Sequence, residues 1–238
     1  MQSTPGLIQE SSTVFGSFMA QVYGWMVIGL MVTFAVAFGV EFITERNEQI
    51  YLLLATLSPF IIIGQLIIVL VMAFLWRKMN VFISAGLFLF YSLTMGLFFG
   101  IIFLDFTSSS ILLVFGATIA TFVVMALFGT LTKQDLTSWG RLALFGLLGL
   151  IIATVINIVF YLFNPGLAQS FEWVLTYLGV GIFLILIAYD TQKLKTMAAS
   201  AEQSGLGMAN VAIQGALTLY LDFINIFIRL LFIMGKRK

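Results

Sequence analysis

Two aspartates carry the chemistry this chain could do. Asp222 sits in the stretch from Leu217 to Ile228, with apolar residues on both sides. An ionisable residue inside such a run is costly to desolvate and is a functional candidate by default. Asp190 closes another apolar run, two residues before Gln192 and three before Lys193; alone it reads as an interfacial charge. The pairing of the two changes that reading. The midpoint of 190 and 222 is 206, inside Ser204-Gly205-Leu206-Gly207, the clearest turn signal between them. Folded there as an antiparallel hairpin, each aspartate stands 16 residues from the turn. At a helical rise of about 1.5 Å per residue, both lie at the same height, roughly 24 Å from it. This arithmetic holds where the 191–207 link is regular helix.

Two carboxylates in contact in a poorly solvated place cannot both ionise cheaply. They titrate as a coupled pair. A shared proton joins them at low pH, and its loss repels them at high pH. That is the minimum machinery of a pH gate, and also what an aspartyl protease uses to activate water. The pair points to these two classes without choosing between them. Other chemistry is excluded by composition. The chain has no cysteine and no histidine, which removes disulfides, thiol nucleophiles, histidine-based triads and His- or Cys-ligated metals. The sequence holds no phosphate loop, dinucleotide fingerprint, zinc motif or internal repeat, and no cofactor is expected. A net charge of +1 argues against nucleic-acid partners.

The elements that must position the aspartates are membrane helices. Of 238 residues, 61% are hydrophobic and 9% charged, more apolar than a water-soluble domain can hide. Seven runs are long enough to span a bilayer: Val22–Val40, Pro59–Trp76, Val81–Leu104, Ile111–Leu131, Leu142–Phe163, Trp173–Asp190 and Met208–Met234. The fold class is therefore an all-α integral membrane protein with seven transmembrane helices. Residues 1–21 read as a short cytoplasmic tail, 22–234 as the transmembrane domain and 235–238 as a basic tail. Ser58 and Pro59 read as the N-cap and first residue of the second span. Asn164-Pro165-Gly166 ends the fifth. Gly96 with Gly100, and Gly146 with Gly149, suit close helix packing. Asn157, a lone amide in span five, reads as a structural hydrogen bond.

The seventh run carries a polar stripe: Asn210, Gln214, Thr218, Asp222, Asn225 and Arg229. At about 100° per residue the six fall within roughly 120° of arc. Such a stripe faces protein or water rather than lipid, which makes this helix central. It can be an interhelical hydrogen-bond seam or a functional lining.

Loop charges set the topology. Arg77, Lys78, Lys133, Arg141, Lys193 and Lys195 fall in or beside the even loops, and only Arg46 in the odd ones. The even loops and the N-terminus are thereby expected in the cytoplasm. Seven spans then put Lys236-Arg237-Lys238 outside, against the rule. Either that tail is an exception, or the last segment is re-entrant.

Tyr189-Asp190 followed by Gln192 and Lys193, and then Ala216 through Phe227 with its Leu-Thr-Leu-Tyr-Leu-Asp-Phe-Ile-Asn core, resemble the closing signature of the Bax inhibitor family in its bacterial branch. The seven-span layout, Phe74–Lys78 and Tyr91–Gly96 also fit, so the resemblance covers about the whole chain. It implies two three-helix layers around a central C-terminal helix. It also implies a pH-sensitive calcium-leak channel in the bacterial inner membrane, and no enzyme. The resemblance makes Asp190 and Asp222 the proton-sensing dyad. It gives a latch role to Arg77, or to Lys78 if the register shifts by one, with more flux as pH falls. Calcium prefers oxygen ligands, so Asp222 is the expected weak, transient contact for the transported ion. Thr218, Asn225 and Arg229 are candidate pore lining. One departure stands out. An acidic residue seen in span two of some relatives is absent, and the nearby polar residue is Gln65. Because some bacterial relatives associate with a membrane-bound quality-control protease, a non-transporting regulator stays open. An intramembrane aspartyl protease fits less well. Tyr189-Asp190 matches its first motif, but Gly205-Leu206-Gly207 is followed by Met208 where the second needs aspartate.

The topology is testable with single cysteines, since the chain has none of its own. An impermeant thiol reagent should reach positions 105–110 and 165–171 from outside, and 133–138 and 193–204 from the cytoplasm. Labelling of Ser108→Cys from the cytoplasmic side alone would contradict the assignment.

Overall fold

The structure is a computed structural model. It describes the backbone of residues 5–204 and 207–238, and the side chains of 15–76, 78–199 and 207–238. Among the described residues there is no β-strand, and seven helices are long and apolar enough to cross a membrane. They are α1 (Pro5–Thr44), α2 (Glu48–Leu75), α3 (Val81–Phe103), α4 (Ser108–Leu131), α5 (Thr137–Phe163), α6 (Pro165–Ser204) and α7 (Met208–Met234). A single 3₁₀ turn, Trp76–Lys78, joins α2 to α3. Half of the span window of α7 is buried, the largest share of the seven, against 11% in α2 and in α5. That ranking makes α7 a core helix and leaves α2 and α5 mostly to lipid.

The helices form two compact units. The first holds α1, α2 and α3, with α6 from Leu194, α7 up to Tyr220, and Lys238. Here α3 lies close against α1. A Cβ on Gly96 would come 2.7 Å from the Thr33 carbonyl oxygen, and one on Gly100 would strike the Val40 side chain. These glycines fulfil the packing expectation. The Tyr220 hydroxyl lies 2.6 Å from the Thr33 hydroxyl, and its ring meets Phe88 and Tyr91 edge-on. Asn210 opens the polar stripe. It accepts from the Ser84 hydroxyl and donates to the Trp76 and Met79 carbonyls, pinning the 3₁₀ turn. The second unit holds α4, α5, α6 up to Lys193, and α7 from Leu221 to Arg237. Phe115 and Phe122 of α4 pack edge-on against Phe223, and Phe115 also meets Phe227.

Several boundaries differ from the sequence reading. Helix α1 starts at Pro5, not near Val22, and Phe18 in the expected tail is fully buried. Helix α2 does not start at Ser58-Pro59. It starts eleven residues earlier, where the Asn47 side chain accepts from the Gln49 and Ile50 amides, and it runs through Pro59. Proline has no N–H for the carbonyl four residues back, which is Ala55. The Ser58 hydroxyl donates to that same carbonyl at 2.8 Å. A side-chain hydroxyl thus replaces the missing bond, as membrane helices require. Helix α6 continues to Ser204, so Lys193 and Lys195 lie on helix rather than in a loop. Gly149 has nothing within 4 Å of a notional Cβ, so it is no packing contact, unlike Gly146 with Ile182.

The basic tail is resolved by pairing. Lys238 donates to Glu41 at 2.9 Å and to Glu45 at 2.6 Å, and its amide donates to the Asp105 carbonyl. Lys238 therefore stands with the α1–α2 and α3–α4 connections, and α7 is one unbroken helix of 27 residues, not a re-entrant segment. The Lys238 hydrogen bond holds the Glu45 carboxyl below the usual carboxylate range, and the same bond raises the Lys238 ammonium.

Replacing Ser58 by Ala should leave the Ala55 carbonyl unpaired and lower stability by about 1 kcal/mol. Ser58→Ala in a Pro59→Ala background should cost much less, because residue 59 then supplies an N–H. Thermal unfolding in detergent reads both, and equal losses in the two backgrounds would contradict the repair.

Candidate functional site

The carboxyl pair lies within the second unit. Asp190 lies 14 residues before Ser204, the end of α6, and Asp222 lies 14 residues after Met208, the start of α7. Residues 191–204 of the link between them are regular helix, and Gly207 stands outside both helices. Asp190 and Asp222 share a side-chain hydrogen bond. Neither group has a donor unless protonated, so such a bond requires a proton on one of them. Asp222 is buried, at 4% exposure, while Asp190 is half-buried. Oδ2 of Asp222 is buried with no hydrogen-bond partner among the described residues. Lys193, one turn beyond Asp190, acts on it electrostatically and lies 5.8 Å from the Tyr189 ring.

What holds Asp190 in register was not read from the sequence. A Cβ on Gly129 of α4 would fall on the Ala188 carbonyl, and one on Gly140 of α5 would fall on the Tyr189 ring. Both helices therefore close onto α6 in the two residues before Asp190. Two residues after it, Gln192 accepts from the Leu136 amide at 2.9 Å and donates to the Gln134 carbonyl at 2.8 Å. The α4–α5 connection is thereby tied to α6. Asp135 in that connection accepts from the amide and hydroxyl of Thr137, which holds its carboxyl below the ordinary value. Its support of the α5 start is present above the ordinary carboxylate pKa and is lost as pH falls through the lowered one.

The remaining stripe residues are half-buried rather than sealed. Thr218 and Asn225 donate back to the Gln214 and Leu221 carbonyls, and Oε1 of Gln214 has no partner. Arg229 donates to the Leu175 carbonyl at 3.1 Å. A Cβ on Gly179 would strike its guanidinium, so glycine leaves room for it. Asn157 does not make the expected structural bond through its oxygen: its Oδ1 is buried without a partner. Gln65 is likewise buried, with Nε2 unpartnered. Of the two latch candidates, Lys78 is exposed, and the Arg77 side chain lies outside the described residues. Among the described residues, no three His, Cys, Asp or Glu side chains gather as a metal site.

The sequence matches the family described as "Inhibitor of apoptosis-promoting Bax1" over residues 16–238. The chain belongs to the Bax inhibitor family. Among its relatives, the inner membrane protein YbhL of Escherichia coli K12 is 38% identical over 226 residues, covering 93% of this chain and 92% of that protein. A protein of Deinococcus radiodurans is 35% identical, covering 100% of this chain and 98% of its own. One of Borreliella burgdorferi is 32% identical, covering 98% of each. Seven apolar helices together with such relatives make this Bax inhibitor family member a multi-pass protein of the bacterial inner membrane.

Because a Cβ at position 129 must displace backbone, Gly129→Ala should destabilise by about 1–3 kcal/mol. Gly149→Ala, in open space, should be neutral or stabilise by up to about 1 kcal/mol through helix propensity. Thermal unfolding of the two variants side by side checks the contrast.

Proposed function

We propose that this protein is a pH-sensitive calcium leak in which the proton between Asp190 and Asp222 sets the state of the gate. The hydrogen bond between the two carboxyls carries this reading. Its existence depends on a titratable proton, and its loss leaves two like charges on α6 and α7. Gln214 and Asp222 keep unpartnered polar oxygens on the α7 stripe. A plain hydrogen-bond seam would leave them satisfied, so the stripe suits water or a passing ion better. Asp222, with Thr218 and Asn225 on the same stripe, offers the oxygen atoms a calcium ion prefers. Without a gathered cluster the contact is weak, and weak contact suits conduction, because an ion must leave as well as enter.

A carboxyl pair in contact also suits aspartyl hydrolysis. Asp222 sits in Tyr220-Leu221-Asp222-Phe223, not in the Gly-x-Gly-Asp of intramembrane proteases, and we infer that the protein is no enzyme.

The test is calcium flux from liposomes holding purified protein, across a pH series. Flux above that of empty liposomes, rising as pH falls, is expected. Asp190→Asn and Asp222→Asn should each flatten the pH profile, and the double variant should add little, since the pair acts as one unit. The acid-side rise follows from the latch role given to Arg77 or Lys78. Alanine at the acting residue should raise flux at neutral pH. No flux at any pH would favour a non-transporting regulator that binds a membrane protease.

A further inference from the structure

A second polar feature of the second unit lies apart from the carboxyl pair. A cleft of about 520 Å³ runs between α5, α6 and α7, lined by Asn157, Tyr161, Glu172, Arg229 and Phe232 among others. It holds one cation and one anion, Arg229 and Glu172, yet no carboxylate lies within 4.0 Å of Arg229 among the described residues. Two buried polar atoms on its walls lack partners. Nε of Arg229 is a donor without an acceptor, and Oδ1 of Asn157 is an acceptor without a donor. Buried polar groups are normally paired, so each such atom asks what completes it.

The position of the cleft narrows the answer. Tyr161 comes two residues before the end of α5, and Phe232 two before the end of α7. Tyr161 and the neighbouring Leu162 are exposed, at 65% and 76%, so the cleft opens sideways toward lipid. Trp173 and Tyr177 stack on one another nearby on α6, both exposed, as aromatic side chains do at headgroup depth. A second cleft of about 270 Å³ shares Glu172 and Phe232 and adds Arg237 at the watery end.

We propose that this cleft binds the zwitterionic phosphoethanolamine headgroup of a membrane phospholipid. The phosphodiester accepts from the Arg229 guanidinium, a charge-assisted bond suited to that group. The ammonium, two carbons away, donates to Asn157 Oδ1 and to the Glu172 carboxylate. The acyl chains leave past Tyr161 and Leu162 into the bilayer. An uncharged glycerol headgroup has no cation for Glu172, and a quaternary choline has no N–H for Asn157. The chemistry therefore selects a primary ammonium. This assignment stands whether or not the protein conducts calcium.

Native mass spectrometry of the purified protein in detergent tests it, with phosphatidylethanolamine, phosphatidylglycerol and phosphatidylcholine added at equal concentrations. The wild type should retain the ethanolamine lipid best. Arg229→Gln should weaken that binding about tenfold, the equivalent of one charge-assisted hydrogen bond. Glu172→Gln changes an exposed residue, so it decides the matter even where Arg229→Gln fails to fold. It should weaken the ethanolamine lipid and leave the glycerol lipid unchanged. Equal retention of all three lipids by the wild type, or unchanged ethanolamine binding in Glu172→Gln, would overturn the proposal.

Discussion

Within the hydrocarbon layer of a membrane no water completes the backbone, so its donors and acceptors must find their partners inside the protein. Much of this structure follows from that constraint. Asn210 spends its amide on two carbonyls and a hydroxyl around the α2–α3 turn. Thr118, Thr121, Thr130 and Thr154 turn their hydroxyls back onto carbonyls four residues earlier. Ser58 answers the carbonyl that Pro59 leaves open. The aspartate pair is the extreme case, because two carboxylates have no donor between them and a proton must serve as one.

The height of the two aspartates was legible in the sequence because helical rise is a local quantity and α6 stays helical as far as Ser204. The stripe on α7 was legible for the same reason: spacing alone places six residues on one face. The grip on Asp190 was not. Gly129 and Gly140 matter through what α6 presents to them, and neither belongs to a small-xxx-small pair that would mark it. Regular glycine spacing marks close packing at Gly96 and Gly100 but not at Gly149, which meets nothing.

Local signals also misled where distant or lateral partners decide. Ser58-Pro59 has the composition of a helix start, and in water that reading would be sound. In α2 the same two residues form a repaired interior, with the true start at Asn47. The charge rule set Lys238 against its own side of the membrane, since it counts basic residues without asking what they meet. Glu41 and Glu45 come near the end of α1, and no feature of the last four residues announces the pairing. The unpaired oxygen of Asn157 was equally hidden, because an amide's partner depends on the neighbouring helices.

The Lys238 clasp has a consequence for biogenesis. Its two ends lie 197 residues apart along the chain at Glu41 and 193 at Glu45. A helix inserted early must wait, with its terminal carboxylates unpaired, while every later span is synthesised and crosses the bilayer. At a translation rate of about 5–20 residues per second, that interval is on the order of 10–40 seconds. Until then the acidic end of α1 lacks its C-terminal cation. The clasp can thus close only after the last span has been made.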